Sequence, residues 1–203
     1  MSNMSDTAWE AAIGAFRIEA GALLTQSGII DRRQFAAAVD ALIKAPRIAA
    51  SGCGHSGIAC MHFAHLMCCI KRPARFISPA EAVHGALGFL KAGDVILLAS
   101  RGGKTSELLP ILEYGNREGI TVISVIENME SPMALQSDIV LDISVERETD
   151  KHNTQGTTSF AVMNAVFDAL QAAIIEETGY NPKSFAIIHP GGAVGERLNE
   201  RSR

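Results

Sequence analysis

The sequence predicts an α/β fold, a three-layer αβα sandwich built on a five-stranded parallel sheet and preceded by an N-terminal helical arm. Three observations lead there. Short apolar runs alternate with helical segments from residue 47 to 145. The runs read as strands covered on both faces, because polar residues do not alternate along them. The connections between runs and helices are short, as in parallel sheets wound from repeated strand–helix units.

The elements follow in chain order. Residues 8 to about 45 carry two amphipathic patterns broken near Gly28, with Trp9, Ile13, Phe16 and Ala20 on one face and Phe35, Val39, Leu42 and Ile43 on the other. The strands are RIAAS (47–51), ARFIS (74–78), DVILLAS (94–100), ITVISVIE (120–127) and DIVLDISV (138–145). Helices are expected over 56–71, 79–90, 105–118 and 131–137, with a long one over 157–178. The stripe Phe160, Met163, Phe167, Leu170 and Ile174 makes the last a core helix. There is no internal repeat, low-complexity stretch or Pro/Ser-rich linker, so residues 1–203 are expected to form a single domain, with 1–45 as its arm.

Composition limits the partners. A net charge of -4 and a pI near 5.9 leave no basic footprint for nucleic acid or an anionic membrane surface. No apolar run approaches the roughly 18 residues of a membrane span, and the start, MSNMSDTAWEAAIGAF, is acidic where a signal peptide needs basic residues. A cytoplasmic location is expected. Cys53, Cys60, Cys68 and Cys69 crowd one stretch, two of them adjacent, which suits reduced thiols better than disulfides.

Three turns are rich in glycine and hydroxyls: Ser51 to Gly57, Ser100 to Glu107, and Thr154 to Ser159. Small residues let backbone amides approach an anion, and helix starts add partial positive charge. Together the turns can surround one phosphate, although any one of them alone reads simply as a helix cap. Gly103-Lys104-Thr105 is not the end of a nucleotide P-loop, because Leu98 stands where the first glycine of that motif belongs. Gly52, Gly54 and Gly57 imitate a dinucleotide fingerprint, but no acidic residue closes the next strand. His62, His65 and Cys69 share a helix face without a second ligand pair at metal-site spacing, so packed core side chains are expected there and no metal.

The order GCGHSG, SPAEAVHGALG, SRGGKTSE, TQGTTS and HPGGAVGERL resembles the sugar isomerase (SIS) domain of D-arabinose-5-phosphate isomerases, from about residue 10 to 200. The resemblance implies an SIS-type sandwich and an aldose–ketose isomerase that interconverts D-ribulose 5-phosphate and D-arabinose 5-phosphate, for Kdo in lipopolysaccharide or capsule. It implies no cofactor. The CBS pair that often follows this domain is not expected in these 203 residues. Substrate contacts carried over are Gly54, His55, Ser56, Ser100, Gly103, Lys104, Thr105, Thr157, Thr158 and Ser159. The catalytic set is His84, Glu107, Glu148 and His189, with His189 expected to meet a site built with another subunit of a homotetramer.

Moving a carbonyl between C1 and C2 through an enediol needs a base for the carbon-bound proton and groups that shuttle protons at O1 and O2, and it needs no metal. A carboxylate of raised pKa with neutral imidazoles suits that task. Glu148 is expected as the carbon base, His189 and His84 as helpers in ring opening or oxygen protonation, and Glu107 as an orienting or proton-sharing group. Taken singly, each has a plainer reading. Glu107 in a helix first turn complements the dipole, Glu148 lies in the charged stretch VERETD, His189 precedes the turn signal Pro-Gly-Gly, and His84 beside Gly85 is a helix end.

Two departures from the family pattern stand out: His55 replaces a lysine, and Gly102 replaces a serine of the second turn. They leave open a non-catalytic sugar-phosphate sensor, or an isomerase of a hexulose or heptose phosphate.

Overall fold

The computed structural model describes residues 4–200. Helices α1 (Asp6–Ile29) and α2 (Arg32–Lys44) form the arm. Asp31 separates them by capping α2, its carboxylate accepting from the amides of Arg33 and Gln34. The break therefore falls at residues 30–31, just past Gly28.

Strands β1 (Ile48–Gly52), β2 (Ala74–Phe76), β3 (Val95–Ala99), β4 (Thr121–Ile126) and β5 (Ile139–Asp142) pair in the order β2-β1-β3-β4-β5, all parallel. Alternate residues serve opposite faces. Ile48, Ala50, Leu97, Val125 and Leu141 pack under α2, α3 (Gly54–Cys69) and α7 (Thr158–Thr178). On the other face, Ala49, Ile96, Leu98 and Val122 meet Ile111 and Leu112 of α5 (Leu109–Glu118) and Met133 of α6 (Pro132–Gln136). The expected three-layer sandwich is what forms. Helix α7 is long and apolar enough to cross a membrane by composition alone, yet Val162, Val166, Phe167, Leu170 and Ile174 are buried in the core.

Several element boundaries differ from the sequence reading, each for a local reason. The expected helix 79–90 is a four-residue α4 (Pro79–Ala82) followed by a 3₁₀ turn (Ala86–Phe89), split where Gly85 adopts φ 110°. The expected helix 105–118 begins only at Leu109, because Pro110 is tolerated in a first turn and would break an interior one. Glu107 therefore precedes the helix instead of sitting in its first turn. Strand β5 stops at Asp142, whose carboxylate turns back to the amide and hydroxyl of Ser144. Two short helices, α8 (Pro182–Ile188) and α9 (Gly192–Glu200), end the described chain.

Candidate functional site

The carboxyl ends of the strands carry the three turns. In the first, Gly52 closes β1 and α3 starts almost at once. A Cβ on Gly57 would stand 2.6 Å from the carbonyl oxygen of Gly52, so this strand–helix junction requires glycine. Cys53 caps α3 without a side-chain hydrogen bond. The amides of Gly54, His55 and Ser56 donate to no acceptor among the described residues, and they occupy the positive end of a sixteen-residue helix.

The second turn folds back on itself. Ser100 Oγ lies 2.8 Å from Thr105 Oγ1 and accepts from the Gly103 amide at 3.2 Å. Gly103 has φ 62°, and a Cβ there would strike Ser131 Oγ. This geometry leaves the amides of Lys104, Thr105 and Ser106 without an acceptor among the described residues. A cleft of about 380 Å³ opens at the ends of β1 and β2. Cys53, Gly54, Met61, Phe76 and Ser78 line it together with Glu107. The Lys104 side chain is exposed.

The two carboxylates have different surroundings. Glu107 is exposed, accepts from Ser106 Oγ at 2.8 Å, and is held below the usual carboxylate range by that hydroxyl and by its own amide. Glu148 is fully buried. Its Oε1 accepts from Ser159 Oγ (2.6 Å) and Arg101 Nη1 (2.8 Å), and its Oε2 from the amides of Thr157 (2.8 Å) and Ser159 (3.1 Å) and from Thr157 Oγ1 (3.2 Å). Burial pushes its pKa up, but the Ser159 donors, Arg101 and the Thr157 amide outweigh burial and the net shift is downward. Neither carboxylate has the raised pKa expected of the base.

Glu148 also corrects the reading of the third turn. The amides of Thr157 and Ser159 and the Ser159 hydroxyl, expected to face substrate, are spent on this carboxylate. Thr157 Oγ1 is further engaged by Thr149 (2.8 Å to its hydroxyl), and Thr158 is fully buried. Sequence reasoning missed Arg101 altogether. Its signal was available: a cation set directly between the end of β3 and the Gly102-Gly103 pair.

The imidazoles are dispersed. His55 lies against the third turn, its Nδ1 only 3.2 Å from where a Cβ on Gly156 would stand and its ring 5.8 Å from that of Phe160. His84 is exposed beyond α4, and its ring makes no hydrogen bond among the described residues. His189 packs on Phe185 (4.9 Å) and lines a separate cavity of about 610 Å³ with His65, Cys69, Gln171 and Tyr180. That cavity lies at the far ends of α3 and α7. The length of α3, roughly 24 Å at 1.5 Å per residue, separates His189 from the first turn within one chain. His65 faces Cys69 at 3.6 Å, and His62 faces Asp168 at 3.4 Å. No cluster of three or more potential metal ligands occurs among the described residues.

The family model described as SIS domain matches residues 41–173, which take in all five strands and the three turns. The chain belongs to the SIS-domain family. This SIS domain is 39% identical over 152 residues to arabinose 5-phosphate isomerase KdsD of Pseudomonas aeruginosa, matching 75% of the chain and 47% of that relative. The chain thus spans about half the length of the curated relatives it matches by sequence. A Listeria monocytogenes protein, crystallised as a candidate sugar-phosphate isomerase, superimposes with a TM-score of 0.89 at 34% identity, over 93% of this chain and 100% of that one. The Escherichia coli CFT073 protein c3406, solved in complex with arabinose 5-phosphate, follows with a TM-score of 0.85 at 28% identity, over 92% and 100%.

Proposed function

We propose that this SIS domain is an aldose–ketose isomerase that interconverts D-ribulose 5-phosphate and D-arabinose 5-phosphate through an enediol. The observation that carries the reading is that Glu107 and Gly54, from turns after different strands, line one cleft. In it the phosphate is held by the amides of Gly54, His55 and Ser56 with those of Lys104, Thr105 and Ser106, and the ammonium of Lys104 adds a point charge. The sugar's first two carbons then lie toward Glu107. Its carboxylate takes the proton from C2 of the aldose, the electron pair forms the C1–C2 double bond of the enediol, and the proton returns to C1 to give the ketose. Proton traffic at O1 and O2 falls to His84 and to His189 of a second copy.

This assigns the base to Glu107 in place of Glu148, since both oxygens of Glu148 are fully engaged and it lines none of the cavities described. The similarity to KdsD and to the protein complexed with arabinose 5-phosphate supports the choice of pentose phosphate. A homotetramer with subunit-shared sites is supported by α1, where Phe16 (73%) and Leu24 (77%) remain exposed. Thiols at all four cysteines suit a cytoplasmic enzyme that supplies Kdo precursor.

A non-catalytic sugar-phosphate sensor is the rival reading, favoured by the confinement of Glu148 and by His55 in place of the family lysine. One experiment separates the two. The protein is incubated with D-arabinose 5-phosphate in heavy water, and ribulose 5-phosphate and C2 deuteration are followed. Turnover with exchange supports the isomerase; tight binding with neither establishes the sensor.

A further inference from the structure

Arg101 belongs to the second turn, yet its side chain is used elsewhere. Its Nε donates to Glu127 at the end of β4, and its Nη1 donates to Glu148 beyond β5 at 2.8 Å. Its backbone carbonyl accepts from the Glu127 amide at 2.9 Å. One residue thus ties together the ends of β3, β4 and β5. Neither carboxylate has another cationic partner within ion-pair distance among the described residues. The contacts continue beyond Glu148, which grips the amides of Thr157 and Ser159, and Gly156 next to them abuts the His55 imidazole. The charged or titratable groups around Glu148 are Arg101 from the second turn, Glu127 across that guanidinium, His55 across Gly156, and Arg147, whose Nε reaches the Glu148 carbonyl at 3.4 Å.

We propose that Arg101 is a positioning residue: by bridging Glu127 and Glu148 it holds the 154–159 turn against His55, so that the first and second turns present their amides as one rigid unit. The planar fork of a guanidinium fixes two carboxylates in two directions at once, which a lysine ammonium on a flexible stem does not. A fully buried Glu148 without its cation would be driven to rearrange, and the turn that it holds would move with it.

The kinetic arm of the test rests on the isomerase reading; the spectroscopic arm does not. The full chain is prepared as wild type, as Arg101→Lys and as the double variant Arg101→Met/Glu148→Gln, in which no buried charge is left unpaired and folding is checked by circular dichroism. The His55 Cε1–H resonance and turnover of arabinose 5-phosphate are measured for each. In the double variant the resonance is expected to shift and broaden, with kcat/KM falling roughly ten- to a hundredfold, as when a site is misplaced by about 1 Å. Arg101→Lys is expected to recover part of both losses. A folded double variant whose His55 resonance keeps its wild-type position overturns the proposal, and so does unchanged kcat/KM in an active enzyme. If the wild type turns over no sugar phosphate, the isomerase reading fails, and the His55 resonance alone then decides the role of Arg101.

Discussion

Replacing Glu148 by glutamine tests the unusual carboxylate directly. The residue is fully buried and receives five donors, one of them the Arg101 guanidinium. Glutamine keeps one acceptor oxygen, which can still serve the amides of Thr157 and Ser159, but its NH2 group then faces Nη1 of Arg101, donor against donor. Breaking a buried pair by removing one partner costs about 3–5 kcal/mol. Arg101 keeps Glu127 and is partly exposed, so the lower end of that range, about 3 kcal/mol, is expected at pH 7. That is a large share of the ~5–15 kcal/mol typical of a domain.

Urea unfolding of wild type and Glu148→Gln as a function of pH is the assay. The folded-state pKa of Glu148 is lowered, whereas an unfolded glutamate titrates near ~4.3. The stabilisation is therefore fully present above the unfolded value and lost as pH falls through the folded one. The two stability curves should run about 3 kcal/mol apart at neutral pH and begin to converge below about pH 4. A difference under about 1 kcal/mol at pH 7, the size of an exposed ion pair, would refute the argument, as would curves that stay parallel into acid.

Three further outcomes are expected. Glu107→Gln should lower kcat by about 10²–10⁴-fold, the usual worth of a general base, while leaving the urea midpoint unchanged, because the side chain is exposed; coupled assay and unfolding on the same preparation check both. Gly57→Ala places a Cβ 2.6 Å from the Gly52 carbonyl oxygen, where backbone has to move; calorimetry should show weaker binding of inorganic phosphate, with stability reduced by about 1–3 kcal/mol. Phe16→Glu puts a charge on the exposed face of α1, and sedimentation should show a smaller assembly with no loss of helicity.

The sheet could be read from the sequence because each strand is a local signal: a run such as VILLA is apolar whichever helix covers it. The element starts and stops that differed, at Leu109 and Gly85, were set by single residues, Pro110 and a glycine at positive φ. Glu148 was the hard case. In the string VERETD nothing local distinguishes it from a solvated carboxylate, since its partners stand 47, 9 and 11 residues away at Arg101, Thr157 and Ser159. His189 is similar, because the chain alone carries it to the far end of α3.

The engagement of Glu148 also bears on where the proposed isomerase would seat a phosphate. Three helices of eight residues or more, α3, α5 and α7, follow the turns at this end of the sheet. Each presents partial positive charge there. At α7 that charge is already neutralised by Glu148, whose oxygens take the amides a phosphate would need. At α5, Leu108 provides no side-chain cap, and the free amides lie just before the helix, at Lys104, Thr105 and Ser106. Helix α3 opens with Gly54, His55 and Ser56 unpaired among the described residues, and Gly54 lines the same cleft as Glu107. On the proposed isomerase reading a dianion gains most between α3 and the second turn, and the carboxylate that shares that cleft with Gly54 is Glu107.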